Sequence, residues 1–335
     1  MRFIANDPCS GARPSFDELN VPLGKFWKGA GAAWLAWVVF LGMTADTGAE
    51  TEMLVSSSEY NRASSLLFQW WGLFEGPDNN DISSYFDRVF SEDVQLTFGE
   101  LNINGIDHLR DVYASLPLGV ASAHHVESIA LKHVEENGYE LEVHFVYLSR
   151  SPGDVLSSSR RRYNHTLEKT ADGNFVLRVV RATTLEQLNV SAFRASYTEN
   201  RARAAITQYL GIIDELGGDY AELSSLMDGD SQVHEVIEES DRRFHDRGDG
   251  VLKGTAEIAS WLASRKLTFA KVAHRLEDLT INSHEADQVD VRVHVATRAW
   301  PHEGEQIDVE SSFDLTLRDT GEQFMIIKAI RRAAD

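Results

Sequence analysis

The chain has a single cysteine, Cys9, among 335 residues, which excludes an intrachain disulfide and any cysteine-built metal cluster. A reducing compartment is permitted, and a cytoplasmic location is the expectation. Basic residues are also scarce: 32 Lys and Arg stand against 52 Asp and Glu, for a net charge of -20. A surface of that sign repels phosphate backbones and anionic lipid, so neither nucleic acid nor membrane is an expected partner. The basic run Arg160, Arg161 and Arg162 is too short and isolated to reverse the field. Long apolar runs are lacking as well. Gly29 to Met43 is fifteen residues without a charge, short of the roughly 20 that cross a bilayer. It begins late for a signal peptide, behind Asp17 and Glu18, with a weak cleavage context after it. Residues 1–56 therefore read as an N-terminal arm with an apolar helix, in which Trp27, Trp34 and Trp37 supply packing area. No glycine-rich nucleotide motif follows a strand, and no HxH or HExxH grouping supplies a compact ligand set. HDRGDG at 245–250 lacks the spaced oxygen ligands of a calcium loop and reads as a charged turn. No metal ligand and no cofactor is assigned.

What the chain does contain, it contains twice. HHVESIALKHVEENGYELEVH at 124–144 and HRLEDLTINSHEADQVDVRVH at 274–294 share one frame, with a shift of 150 residues. The shift continues through Thr166 and Leu167 on Thr316 and Leu317, Arg178 on Lys328, and Arg181 on Arg331. Sustained register of this kind marks an internal duplication, and the length suits two domains. The first copy opens with a helix from Ser57 or Ser58 through RASSLLFQWWGLF, then a short helix ISSYFDRVF, a strand VQLTFG and a third helix from Gly105 to Leu116. Four strands follow: 125–135, 139–149, 157–169 and 174–183. From Asn200 the order recurs, with a first helix at 201–216, YAELSSLM as the second, and Gly254 in the place of Gly105. An insertion around ESDRRFHDRGDG distinguishes the second copy, as an exposed loop or a lid. Helices followed by an antiparallel meander give an α+β class, with domains at 57–185 and 199–335.

The pattern YLGIIDELGGDYAELSSLM...GDSQVHEV, followed by a glycine-started helix and four strands, resembles the SnoaL-like branch of the NTF2-like superfamily. The resemblance covers nearly everything but the arm. It implies two tandem cone-shaped α+β barrels, each with a strongly curved antiparallel sheet and a long first helix enclosing a pocket. The superfamily includes polyketide cyclases, ketosteroid isomerases, scytalone-type dehydratases, epoxide hydrolases and non-catalytic proteins, so the fold alone leaves function open. In its dehydratase-like and cyclase-like members an aspartate on the first helix and a histidine at the start of the third strand face the cavity. The resemblance carries these onto Asp214 and His274 in the second copy. In the first copy it carries them onto Phe74, with Glu75 beside it, and His124.

Strand alternation sorts the remaining polar residues. Leu141, Val143, Phe145 and Tyr147 share one face, and Glu140, Glu142 and His144 the other. Val289 to Val295 repeat this, leaving His294 outward. Arg161, Tyr163, His165 and Leu167 form a second cavity row, matched by Ser311, Phe313, Leu315 and Leu317. For the first of the long strands there is a conflict: simple alternation turns His125 and Arg275 inward, whereas the resemblance turns His124 and His274 inward. A β-bulge near the strand start reconciles them. The polar outer faces, bearing histidine and arginine, suggest that the two barrels pair within the chain as an internal pseudo-dimer.

Two functions follow from these residues. One is a cofactor-independent lyase or isomerase, of dehydratase or cyclase type, acting on a small apolar or aromatic oxygenated molecule. Asp214 and His274 are its acid–base partners, because burial and proximity bring carboxylate and imidazole proton affinities toward neutrality. The alternative set in the first pocket is His124 or His125, Tyr147, Arg161 and His165. The other function is a non-catalytic binding or structural protein whose aromatic residues, Trp70, Trp71, Phe145 and Tyr147, fill the pocket instead of lining it.

Overall fold

The computed structural model describes residues 57–76, 83–115, 119–135, 137–151, 153–171, 173–218, 220–235, 251–285 and 287–333. The expected arm at 1–56, its apolar segment and the HDRGDG turn lie outside the described residues.

The first half runs α1 (Ser57–Glu75), α2 (Ser83–Val89), β1 (Phe90–Phe98), β2 (Leu101–Asn104), α3 (Ile106–Ala114), β3 (Ala121–Glu135), β4 (Gly138–Arg150), β5 (Leu156–Lys169) and β6 (Phe175–Gln187). The second half runs α4 (Tyr197–Asp214), α5 (Leu223–Leu226), β7 (Gln232–Glu235), β8 (Val251–Lys253), α6 (Gly254–Arg265), β9 (Phe269–Glu285), β10 (Gln288–Pro301), β11 (Ile307–Asp319) and β12 (Phe324–Ala333). Each half holds a separate six-stranded mixed sheet, ordered β2-β1-β6-β5-β4-β3 and β8-β7-β12-β11-β10-β9. Both follow one α+β plan. In each, β1 or β7 joins its neighbour β6 or β12 in parallel, while the long strands form an antiparallel meander.

Alternating side chains make these strands half-buried. Val289, Val291, Val293 and Val295 of β10 are buried, and the residues between them face out. In the first half Leu141, Val143 and Phe145 do the same and meet Leu67, Trp70 and Trp71 of α1 in one core. The second core is built from α4 residues Ile206, Tyr209, Leu210 and Ile213 against the second sheet. Gly105 and Gly254 open α3 and α6 with φ of 84° and 71°, a region that side chains disfavour. At Gly254 a Cβ would also stand 2.8 Å from the Gly229 carbonyl oxygen.

The bulge occurs in both copies. Val126 pairs with Phe145 and Ser128 with His144, so Glu127 is the extra residue; Glu277 is its counterpart between Leu276 and Asp278. Up to the bulge, His124 and Val126 share the face of Phe145 and Tyr147; beyond it, Ile129 shares that of Val143. His274 likewise lies opposite Thr297, on the face of Val293 and Val295.

The halves meet through helices. α1 and α4 lie antiparallel: Ser58 Oγ donates to the Gly211 carbonyl at 2.7 Å and Ser65 Oγ to the Ala204 carbonyl at 2.8 Å. This corrects the expectation that the outer sheet faces pair. Those faces carry ion pairs instead, such as Arg292 to Asp314 at 2.7 Å, with Arg292 half exposed. The contact also explains why α4 is buried nearly all round: one side faces its own sheet and the other faces α1. No described helix is long and apolar enough to cross a membrane.

Candidate functional site: two acid–histidine pairs

In the second half, the last residue of α4 places Asp214 against the start of β9. Its carboxylate accepts from the His274 backbone N–H at 3.1 Å and makes a short contact with His274 Nδ1. Both side chains are buried, with 1% of His274 and none of Asp214 exposed. A carboxylate can only accept from Nδ1, so Nδ1 carries a proton and, in the neutral ring, Nε2 keeps its lone pair. Burial pushes the His274 pKa below the ordinary histidine value of 6.5; Asp214 opposes that shift, and the cations Arg265 and Arg331 reinforce it. Arg265 is held by the Ile213 carbonyl at 3.1 Å and lies over Trp261; Arg331 lies over Phe313. The pair is therefore a neutral imidazole oriented by an acid, with two guanidinium groups lowering its proton affinity.

The first half builds the same pair with Glu75. Its Oε1 lies 2.7 Å from both His124 Nδ1 and the His124 backbone N–H, and its side chain is fully buried. The helices are related by a shift of 139 residues, not 150: Ser65 matches Ala204 and Glu75 matches Asp214. Glu75, not Phe74, is thus the structural partner of Asp214.

The surroundings differ. His124 stacks on Trp71 with centroids 5.6 Å apart, and Phe145 and Tyr147 enclose it at 5.2 Å each. Arg161 lies 3.9 Å over the Tyr147 ring and donates to Ser159 Oγ, so these two residues stack on each other beside the pair. His165 is 1% exposed, ringed by Trp70, Trp71 and Tyr163. Burial drops its pKa to about 3, with only partial relief from the Leu141 backbone. The rings around His165 hold it neutral, with no acid among the described residues placed against it as Glu75 is against His124. For His125 the expectation is corrected: it faces away from His124, and its Nε2 meets the Arg194 carbonyl at 2.9 Å.

At matching positions the second half carries smaller groups. Leu210 stands for Trp71, Val295 for Phe145, Thr297 for Tyr147, Ser311 for Arg161 and Leu315 for His165. Arg331 escaped the sequence reading because the shift in the final strand is 149. Tyr163 pairs with Ala182 and Phe313 with Arg331, so Arg331 matches Ala182 while Arg181 points outward. Among the described residues no group of three or more His, Cys, Asp or Glu is placed to hold a metal ion.

No protein-family model matches the chain, and no curated protein matches it. Solved structures do. An NTF2-like protein with a cystatin-like fold from Novosphingobium aromaticivorans is 22% identical over 41% of this chain and 82% of its own, with a TM-score of 0.33. An NTF2-like superfamily protein from Salmonella enterica serovar Typhimurium is 14% identical over 39% and 87%, with a TM-score of 0.32. A hexachlorocyclohexane dehydrochlorinase is 11% identical over 41% and 94%, with a TM-score of 0.34. Each likeness covers about two fifths of the chain, whose two halves share one α+β plan.

Proposed function

We propose that the second half is a cofactor-independent lyase or isomerase site in which His274 is the acid–base group. Its substrate is a small, largely apolar, oxygenated molecule. The observation that carries this reading is the buried Asp214–His274 pair, on whose imidazole Arg265 and Arg331 act electrostatically. Nε2 of the neutral imidazole takes a proton from a carbon beside a carbonyl, and the electron pair moves toward the oxygen. Asp214 stabilises the imidazolium that forms, and the guanidinium groups offset the negative charge that develops. The imidazolium then returns the proton to carbon, which completes an isomerisation. Given to a β-hydroxyl instead, the proton leaves as part of water, with C–H and C–O bonds broken and a C=C bond formed.

The competing reading, a non-catalytic binding or structural protein, is supported for the first half by the aromatic rings that pack against His124 and His165. We assign chemistry to the second pair and packing to the first.

The test is incubation of the full chain in D2O with a panel of small aromatic and terpenoid ketones and alcohols, following deuterium incorporation and loss of water. Asp214→Asn and His274→Gln are expected to lower the rate about 100-fold, the weight of a positioned acid–base group. Equal rates in wild type and both variants would exclude the pair.

A further inference from the structure

α1 and α4 each carry an asparagine fourteen positions before the acid: Asn61 before Glu75, and Asn200 before Asp214. Fourteen residues are close to four helical turns, so both groups lie on one face, about 21 Å apart along the axis. On antiparallel helices that spacing sets each asparagine beside the other helix's acid. Asn61 Nδ2 donates to Asp214 Oδ2 at 3.1 Å and to the His274 carbonyl at 2.9 Å. Asn200 Nδ2 donates to the two Glu75 oxygens at 3.1 and 3.0 Å and to the His124 carbonyl at 3.1 Å. Both asparagines are 1% exposed. Every partner of the two amide nitrogens is an acceptor, so the NH2 end of each amide must face it.

We propose that Asn61 and Asn200 are positioning residues exchanged between the halves, each holding the acid–histidine pair of the other half. An amide bridging the acid and the histidine's own carbonyl ties the two at a set separation. It also occupies the carboxylate oxygen that does not face Nδ1 in the second half. Loss of that donor leaves a buried carboxylate lone pair unsatisfied and frees the acid to turn. The first half adds Ser196, which donates to Glu75 Oε2 and accepts from the His124 N–H, both at 2.8 Å. Its counterpart Ser57 donates to the Val272 carbonyl instead, so in the second half the exchange rests on Asn61. For catalysis the proposal builds on the Asp214–His274 reading, whereas the positioning stands on geometry alone.

The test uses full-length chain with 15N-labelled histidine, the ring signals of His124 and His274 being assigned through His124→Gln and His274→Gln. Asn61→Asp is isosteric and replaces the donor with a second carboxylate beside Asp214. The other charged groups acting on His274 are Arg265 from α6 and Arg331 from β12. The added acid is expected to raise the His274 titration midpoint by about one pH unit or more, leaving the His124 signals in place. Asn200→Asp is expected to shift His124 and spare His274. If Asn61→Asp does not fold, Asn61→Ser keeps a donor too short to bridge both acceptors, and it should move only the His274 Nδ1 resonance. A merely structural asparagine would alter both histidines or neither, and either pattern overturns the proposal. Crosswise shifts without turnover of the ketone and alcohol panel keep the positioning and remove the catalysis.

Discussion

Glu75 and Asp214 occupy the same station on two antiparallel helices. Each closes on Nδ1 of its own half's histidine and accepts a hydrogen bond from an asparagine of the other half. Glu75 gathers donors from His124, Ser196 and Asn200, a degree of satisfaction that lets a carboxylate stay buried. Replacing it with leucine strips those donors of their acceptor. Glu75→Leu is expected to lower unfolding free energy by about 3 kcal/mol, in the range for breaking a buried pair. Urea unfolding measures it, and a loss below about 1 kcal/mol would mean that the donors find other partners.

Gly211 sits where the helices cross. A Cβ there would stand 2.9 Å from Arg62 Cγ and 3.1 Å from the Ser58 carbonyl oxygen. Alanine is intrinsically better than glycine in a helix by about 1 kcal/mol, but the clash pushes α1 and α4 apart. Gly211→Ala is expected to destabilise by about 1–3 kcal/mol and to disturb the ring signals of His124 and His274 together. A thermal midpoint equal to or above that of wild type would show that the contact yields at no cost.

His165 titrates near 3 when folded and near 6.5 when unfolded. Below the unfolded value the unfolded chain binds more protons, so stability present above pH 6.5 is lost as pH falls toward about 3. His165→Leu copies Leu315 of the second half. It should flatten that acid loss, leaving the variant relatively more stable at pH 4.5 than at pH 8. An unchanged stability-against-pH slope would show that His165 is already relieved of its charge penalty.

Arg331 lowers the His274 pKa, so removing it acts in a known direction. Arg331→Met should raise the His274 midpoint, and any proton-transfer rate should drop at least about 10-fold as an electrostatic stabiliser is lost. A midpoint that stays or falls would place Arg331 away from the imidazole.

The strand plan was readable from the chain because alternation reports burial directly: Leu141, Val143 and Phe145 needed only the period of two. A bulge at Glu127 and Glu277 exchanges the faces of the residues before it relative to those after it. Simple alternation therefore turned His125 and Arg275 inward, and only the resemblance selected His124 and His274. The helix pairing was harder. The extra residues of the second half fall between β7 and β8, so helices and strands obey different shifts, 139 and 150, and the match of Phe74 to Asp214, a shift of 140, fell one residue from the true partner. A signal was nonetheless present. Ser58, Asn61, Ser65, Phe68, Gly72 and Glu75 keep heptad spacing, as do Tyr197, Asn200, Ala204, Thr207, Gly211 and Asp214. Mostly small and polar, these rows resemble no apolar stripe, and a search for hydrophobic periodicity passes over them.

A duplicated unit ordinarily frees one copy to change. The interior of the first half has taken that freedom, filling with Trp71, Tyr147 and Arg161 where the second has Leu210, Thr297 and Ser311. Its helix α1 has not, because Asn61 serves a pair that belongs to the other half. The first half is thereby retained as a resident chaperone of its sibling's geometry. Cutting the gene between the halves would yield two fragments, each with a buried carboxylate missing a donor.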